Sequence, residues 1–149
     1  QLIPLLPPAP SDRQRTLVDL GSGAGFPGMV LAIMGAGEVH LIESVQKKTA
    51  FLHAVAQETG APVRIHACRI ADAPAIAADV VTARALAPLT DLLRHSTRFA
   101  HGETVYLFPK GRSAGQELTA ARKAWNITVT EHASRTDAAG RILEIAGIR

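Results

Sequence analysis

The sequence predicts an α/β fold: a mostly parallel seven-stranded sheet with helices on both faces and an antiparallel C-terminal edge. Three observations carry this. Short apolar runs alternate with helical patterns from Thr16 to Ala124, glycines gather where the first run ends, and two β-rich pieces close the chain without a helix between them. Alternation at this spacing requires right-handed crossovers, which leave the strands parallel. The last two strands lack a crossover, so they are expected to pair antiparallel at one edge.

Each element has its own local reason. Thr16-Leu-Val-Asp-Leu20 reads as a short buried strand stopped by glycine. Pro27 opens a helix over Gly28 to Met34, because its missing N–H is unpaired in a first turn anyway. Glu38 to Ile42 is the second strand. Ser44 is placed to cap the next helix, Val45 to Thr59, with Phe51, Leu52, Val55 and Ala56 on one face and Gly60 as the stop. Val63 to His66 and Asp79 to Ala83 are the third and fourth strands. An amphipathic helix from Leu89 to Ala100 leads to a fifth strand, Thr104 to Phe108, and a helix from Gly115 to Ala124. Ile127 to Thr130 and Arg141 to Ile148 complete the sheet. Before all of these, Gln1 to Pro10 carries Pro4, Pro7 and Pro8, lacks a basic start and does not read as a secretory signal. Residues 1–15 are expected to be an extended linker whose upstream partner is missing, and the chain a fragment or trimmed piece.

Composition narrows the function classes. A chain of 149 residues with 47% hydrophobic and 19% charged residues is expected to form one globular domain, 1–149, with its own core. The single cysteine, Cys68, rules out an internal disulfide framework and any multi-cysteine zinc site. His40, His53, His66, His95, His101 and His132 are scattered without ligand spacing, so no metal is assigned. The apolar run Met29 to Ala36 is too short to cross a bilayer. A formal charge of +3 permits a nucleic-acid partner without establishing one.

The strongest local signal is Asp19-Leu-Gly21-Ser22-Gly23-Ala-Gly25-Phe26-Pro27-Gly28, a glycine loop between a strand and a helix. It allows a tight turn and close backbone approach to a ligand. Gly23 to Gly28 also fits the dinucleotide fingerprint, so an NAD-type oxidoreductase domain is one reading. Asp19 argues for another. Its charge would oppose a pyrophosphate and favour a ligand carrying an ammonium and a sulfonium, which is S-adenosylmethionine. Pro27 also gives up a backbone donor that a phosphate would use. Glu43, about 20 residues beyond the loop, stands where an acid holds a ribose diol in nucleoside-binding sheets. Alone it would read as a solvated carboxylate pairing with Lys47 or Lys48. Ala67 to Asp72, with Ile70 and Ala71, is positioned to wall an adenine ring.

Arg84, among alanines after the fourth strand, is costly to desolvate without a partner. Ligand or substrate is one candidate partner, and Asp79 or Asp91 the structural alternative. Lys110 follows the fifth strand as a second cation at the same rim, with a solvated loop lysine as its plain reading. No Asn/Asp-Pro-Pro-aromatic segment supports methylation of an exocyclic amine, no Pro-Cys pair offers a nucleophile, and no base is poised. That suits an acceptor that is nucleophilic while neutral, such as guanine N7, for which the protein supplies proximity and electrostatics.

Leu17 to Gly28, Glu43-Ser44-Val-Gln-Lys-Lys48 with Phe51-Leu52, Ala83-Arg84-Ala85 and Lys110-Gly111 together closely resemble the small-subunit ribosomal RNA methyltransferase G family, also called glucose-inhibited division protein B. The resemblance runs from about Leu5 to Arg149. It implies a class I, Rossmann-like methyltransferase fold, S-adenosyl-L-methionine as cofactor, and N7 methylation of a guanine in small-subunit (16S) ribosomal RNA. A non-catalytic nucleotide-binding module is the third reading. By motif match, Gly21, Phe26, Ile70, Ala71 and Arg84 fall where the family contacts the cofactor, and Glu43 where an acid holds the ribose. The candidate cofactor set is therefore Asp19, Gly21, Ser22, Gly23, Gly25, Phe26, Glu43, Ser44, Ile70, Ala71 and Arg84, and the candidate catalytic pair is Arg84 and Lys110. Lys47, Lys48, Arg84, Lys110 and Arg112 are expected to face RNA or a ribosomal particle. The resemblance also implies a helical segment before Gln1, absent here. The chain is expected to be a cytoplasmic monomer, with no membrane and no metal.

Overall fold

The computed structural model describes residues 1–148. The parallel strands are β1 (Thr16–Leu20), β2 (Glu38–Ile42), β3 (Val63–His66), β4 (Val80–Ala83) and β5 (Val105–Lys110), and the chain closes with β6 (Thr128–Ala133) and β7 (Arg141–Ala146). Their order in the single sheet is β3-β2-β1-β4-β5-β7-β6. The antiparallel strand β7 inserts between β5 and β6, so the antiparallel edge is where the sequence places it. The chain builds outward from β1 to β3, then crosses back to lay β4 on the other side of β1. That reversal puts a crevice beyond the carboxyl ends of β1 and β4. The glycine loop and the Arg84 loop flank it.

Leu17, Val18, Asp19 and Leu20 are all fully buried, as a central strand covered on both faces requires. One face packs against α1 (Gly28–Ile33) and α2 (Gln46–Thr59), through Met29, Leu31, Ala32 and Leu52. The other packs against α3 (Leu89–Ser96) and α4 (Ala114–Ala121), through Leu89, Leu92, Leu93, Leu118 and Ala121.

Several boundaries differ from the sequence reading. The helix expected to reach Ala100 stops at Ser96 and tightens into a 3-10 turn, Thr97–Phe99, which buries Phe99. The β5 strand runs two residues past Phe108, through Pro109. Its neighbour β4 pairs only as far as Leu107, so beyond that point one side of β5 is unpaired and a proline is tolerated. On α2, Leu52 is buried and Val55 and Ala56 are half-buried, but Phe51 is 51% exposed and leaves the expected apolar face. The segment 1–15 is not an extended linker over its whole length. Leu2 is buried, Ile3–Leu5 forms a 3-10 turn on the core, and the Arg15 guanidinium donates to the carbonyls of Pro7 and Ala36.

Candidate active site

The loop between β1 and α1 is held by its own backbone. Gly21, Gly23 and Gly25 have φ of +62°, +58° and +92°, the left-handed region that glycine enters without steric cost. Ser22 N–H donates to the Ile42 carbonyl at 3.0 Å, and Gly25 N–H to the Ser22 carbonyl at 2.7 Å. Gly23 N–H donates to Glu43 Oε2 at 2.9 Å, and Gly28 N–H to Asp19 Oδ2 at 3.2 Å. Four N–H groups are therefore spent on protein acceptors, and Pro27 has none. A pyrophosphate needs such groups free, so this loop is poorly equipped to bind one. A Cβ added at Gly25 would lie 2.6 Å from Met29 Cβ, and one at Gly28 2.6 Å from Asp19 Cβ. At Gly23 the nearest atom would be 3.8 Å away, so the loop's open side is there.

Asp19 braces this loop from beneath. It is fully buried, its Oδ1 accepts from the Thr82 hydroxyl at 2.6 Å and its Oδ2 from Gly28 N–H. Burial pushes its pKa up to about 6, against the hydrogen bonds that favour the charged form. The expectation that Asp19 faces a cationic ligand is corrected accordingly: both oxygens are engaged and it lines neither cleft. Ser22 is likewise buried, its hydroxyl donating to the Asp19 carbonyl.

Two clefts open along the sheet's carboxyl rim. The smaller, about 430 Å³, is lined by Gly21, Glu43, Ser44, Ile70 and Ala71, together with Ile42, Lys48, Cys68, Arg69, Ala85, Leu86 and His95. Glu43 is buried and acts as the hinge of this wall. Its Oε2 accepts from Gly23 and its Oε1 from Val45 N–H at 2.9 Å. A carboxylate has about four lone-pair sites, so about two remain open to further donors. It forms no ion pair with Lys47 or Lys48 among the described residues. Ser44 does not cap α2; Val45 takes the cap position and Glu43 satisfies its N–H. The turn Ile70–Asp72 is clamped by Arg98, whose guanidinium donates to the carbonyls of Ile70 and Ala73 at 2.7 Å each and to that of Ala71.

The larger cleft, about 1000 Å³, is lined by Phe26, Pro27, Arg84 to Pro88, Lys110, Ser113, Glu117, Arg141 and residues of the N-terminal turn. Phe26 is 55% exposed, and the Arg84 guanidinium lies 5.8 Å from its ring centroid and donates weakly to its carbonyl at 3.4 Å. Asp79 pairs with Arg13 and Asp91 with Arg94, so neither expected structural partner holds Arg84. Lys110 is not a solvated loop lysine. Its side chain is 7% exposed, and Nζ donates to Glu117 Oε2 and the Ala87 carbonyl at 2.8 Å each. That removes it from the surface expected to meet RNA, where Lys47, Lys48, Arg84 and Arg112 are exposed.

The structure thus brings Gly21, Glu43, Ser44, Ile70 and Ala71 to one cleft and Phe26, Arg84 and Lys110 to the other. Ala85 and Leu86 line both and form the partition. Sequence reasoning missed Leu86, His95, Arg98 and Glu117. The alanine-rich run after β4 signalled a special loop, but nothing local marked the other three.

Residues 3–144 match the GidB family, described as rRNA small subunit methyltransferase G. The ribosomal RNA small subunit methyltransferase G of Rhodospirillum centenum is 54% identical over 148 residues, 99% of this chain and 67% of that protein. That of Paramagnetospirillum magneticum is 53% identical over 88% of this chain and 64% of its own length. The chain spans about two thirds of the length of these relatives. Among solved structures, a ribosomal protein L11 methylase from Lactobacillus delbrueckii superposes with a TM-score of 0.71 at 18% identity, over 91% of this chain and 71% of that one. A geranyl diphosphate methyltransferase in complex with GPP and sinefungin gives 0.70 at 19% identity, over 99% and 75%. At such identities the likeness shows the fold alone, the class I methyltransferase arrangement.

Proposed function

The chain belongs to the rRNA small subunit methyltransferase G family, and from that membership we propose that it transfers a methyl group from S-adenosyl-L-methionine to N7 of a guanine in small-subunit (16S) ribosomal RNA. The observation that carries this reading is the pair of clefts at the topological switch, separated only by Ala85 and Leu86. One cleft suits a nucleoside cofactor, and the other is large enough for an extruded base.

The residues present fit the cofactor. Glu43 keeps lone pairs for a ribose diol, Ile70 and Ala71 offer a small apolar wall for adenine, and the loop at Gly23 stays free of side chains while Leu86 covers Gly21. When bound, the cofactor supplies a methyl group on a sulfonium that leaves as a neutral thioether. Guanine N7 has no proton to lose, so the chain need supply no base. Its task is to align the ring and exclude water. Methylation makes the guanine cationic, so a fixed guanidinium against the ring would oppose the reaction. Arg84 therefore serves at the edge, holding a carbonyl, a phosphate or the cofactor carboxylate in its planar fork. Lys47, Lys48 and Arg112 extend a cationic rim toward RNA phosphates.

Residues 1–149 act as the cofactor-binding methyltransferase domain. One chain carries both clefts, so a monomer is the proposed working unit, and a ribosomal substrate puts its work in the cytoplasm. The NAD reading is disfavoured by the four loop N–H groups already spent within the protein. Calorimetry with adenosylmethionine and NADH in parallel tests the cofactor: adenosylmethionine should bind and NADH should not. Methyl transfer to small-subunit particles then separates the enzyme from a module that only binds nucleotides.

A further inference from the structure

The segment 84–88, which joins β4 to α3, is the partition between the clefts, and its conformation is not self-supporting. Ala85 has φ +53°, the left-handed region that residues with a Cβ rarely adopt. Leu86 sits over the glycine loop, so near that a Cβ at Gly21 would fall 2.7 Å from its Cδ1. What fixes the segment lies on other elements. Glu117, on α4, accepts from Leu89 N–H at 2.9 Å and from Lys110 Nζ at 2.8 Å through Oε2, and from the Ser113 hydroxyl at 2.6 Å through Oε1. Lys110 in turn donates to the Ala87 carbonyl at 2.8 Å. Two backbone groups at the end of the partition are thus held by one carboxylate and its lysine.

We propose that Glu117 is a positioning residue for methyl transfer, setting the partition through Lys110 and Leu89 N–H and thereby the placement of Arg84 and Leu86 between cofactor and acceptor. This rests on the function proposed above. A buried ion pair is a poor source of stability, since apolar residues of similar volume often serve as well. Glu117 and Lys110 do what an apolar pair cannot: they hold the Ala87 carbonyl of the partition and the Leu89 N–H just beyond it at fixed points.

Three proteins decide it: wild type, Glu117→Gln, and the double variant Lys110→Met with Glu117→Met, which keeps volume without polar contacts. Each is assayed in full-length form for kcat and for KM of adenosylmethionine with small-subunit particles, beside a thermal melt and amide exchange at Leu89. Glu117→Gln should lower kcat by roughly 10- to 100-fold, because small misplacements at a reacting centre cost that much, while KM for the cofactor stays unchanged. The double-methionine variant should melt near wild type yet remain slow, with faster exchange at Leu89 in both. Wild-type kcat in either variant would overturn the proposal, as would a KM that rises in step with a falling melting temperature. An inactive wild type would instead contradict the function proposed for the family member itself.

Discussion

Glu43 shows what a single residue does in this site. One carboxylate links the glycine loop, through Gly23 N–H, to the start of α2, through Val45 N–H, and still has capacity for a ligand. Its distance from the loop made it legible in the sequence, because an acid at the end of the second strand faces the same crevice in any sheet of this order. Asp19 was equally visible, but its direction was not. A strand residue points to either face, and only the packed structure shows Thr82 and Gly28 taking both oxygens. Gly23→Leu should abolish cofactor binding measured by calorimetry while the protein still folds, because the space around Gly23 is open, although its φ of +58° strains a leucine there. Arg84→Ala should lower single-turnover methyl transfer by orders of magnitude through misplacement. Arg84→Lys should recover only part of it, since a point charge does not reproduce a planar fork.

Elements position these residues through contacts that no local pattern announces. Arg98 follows α3 and reaches the carbonyls of Ile70, Ala71 and Ala73 from about 25 residues away, a contact that only the packed sheet brings about. Its guanidinium also lies 5.5 Å from the Phe99 ring, which itself is buried in the core. Arg98→Ala should therefore loosen the turn Ile70–Asp72 and raise KM for adenosylmethionine about tenfold, the cost of a lost charge-assisted hydrogen bond, with kcat little changed. Steady-state kinetics at saturating RNA reads both. The strands and helices themselves were largely legible, because burial on two faces leaves continuous apolar runs and α2 carries its stop at Gly60. Phe51 was not. Its spacing fits an apolar face, yet α2 turns that residue to solvent, because α2 buries only Thr49 and Leu52.

The whole molecule is tied at the end of the sheet opposite the site. Asp79, just before β4, accepts from both terminal nitrogens of Arg13, at 2.6 and 2.7 Å, and from Thr16 N–H at 2.7 Å, with His101 also against it. The Arg13 hydrogen bonds, opposed by burial, hold its pKa down at about 2, below the ordinary 3.8. The sign follows from the depressed value: the stabilisation is present above the unfolded pKa and is lost as pH falls through the folded one. Asp79→Asn should lower the melting temperature at neutral pH by on the order of 5 °C, and that gap should close as pH approaches 2. This tie also explains why residues 1–15 do not behave as a free linker, since Arg13 and Arg15 both anchor them to the sheet's lower rim. A proline-rich start reads as extended chain in sequence, and the partners that dock it lie 21 and 66 residues away.

In the function proposed above, two clefts meeting at Ala85 and Leu86 bring adenosylmethionine to a guanine N7. The most direct measurement incubates the full-length protein with labelled adenosylmethionine and unmethylated small-subunit particles, then maps label by chain cleavage specific for N7-methylguanine. Label at one guanine of the small-subunit RNA, absent with Gly23→Leu, is the predicted result. Label on an exocyclic amine or a ribose, or transfer that survives Gly23→Leu unchanged, would contradict the account.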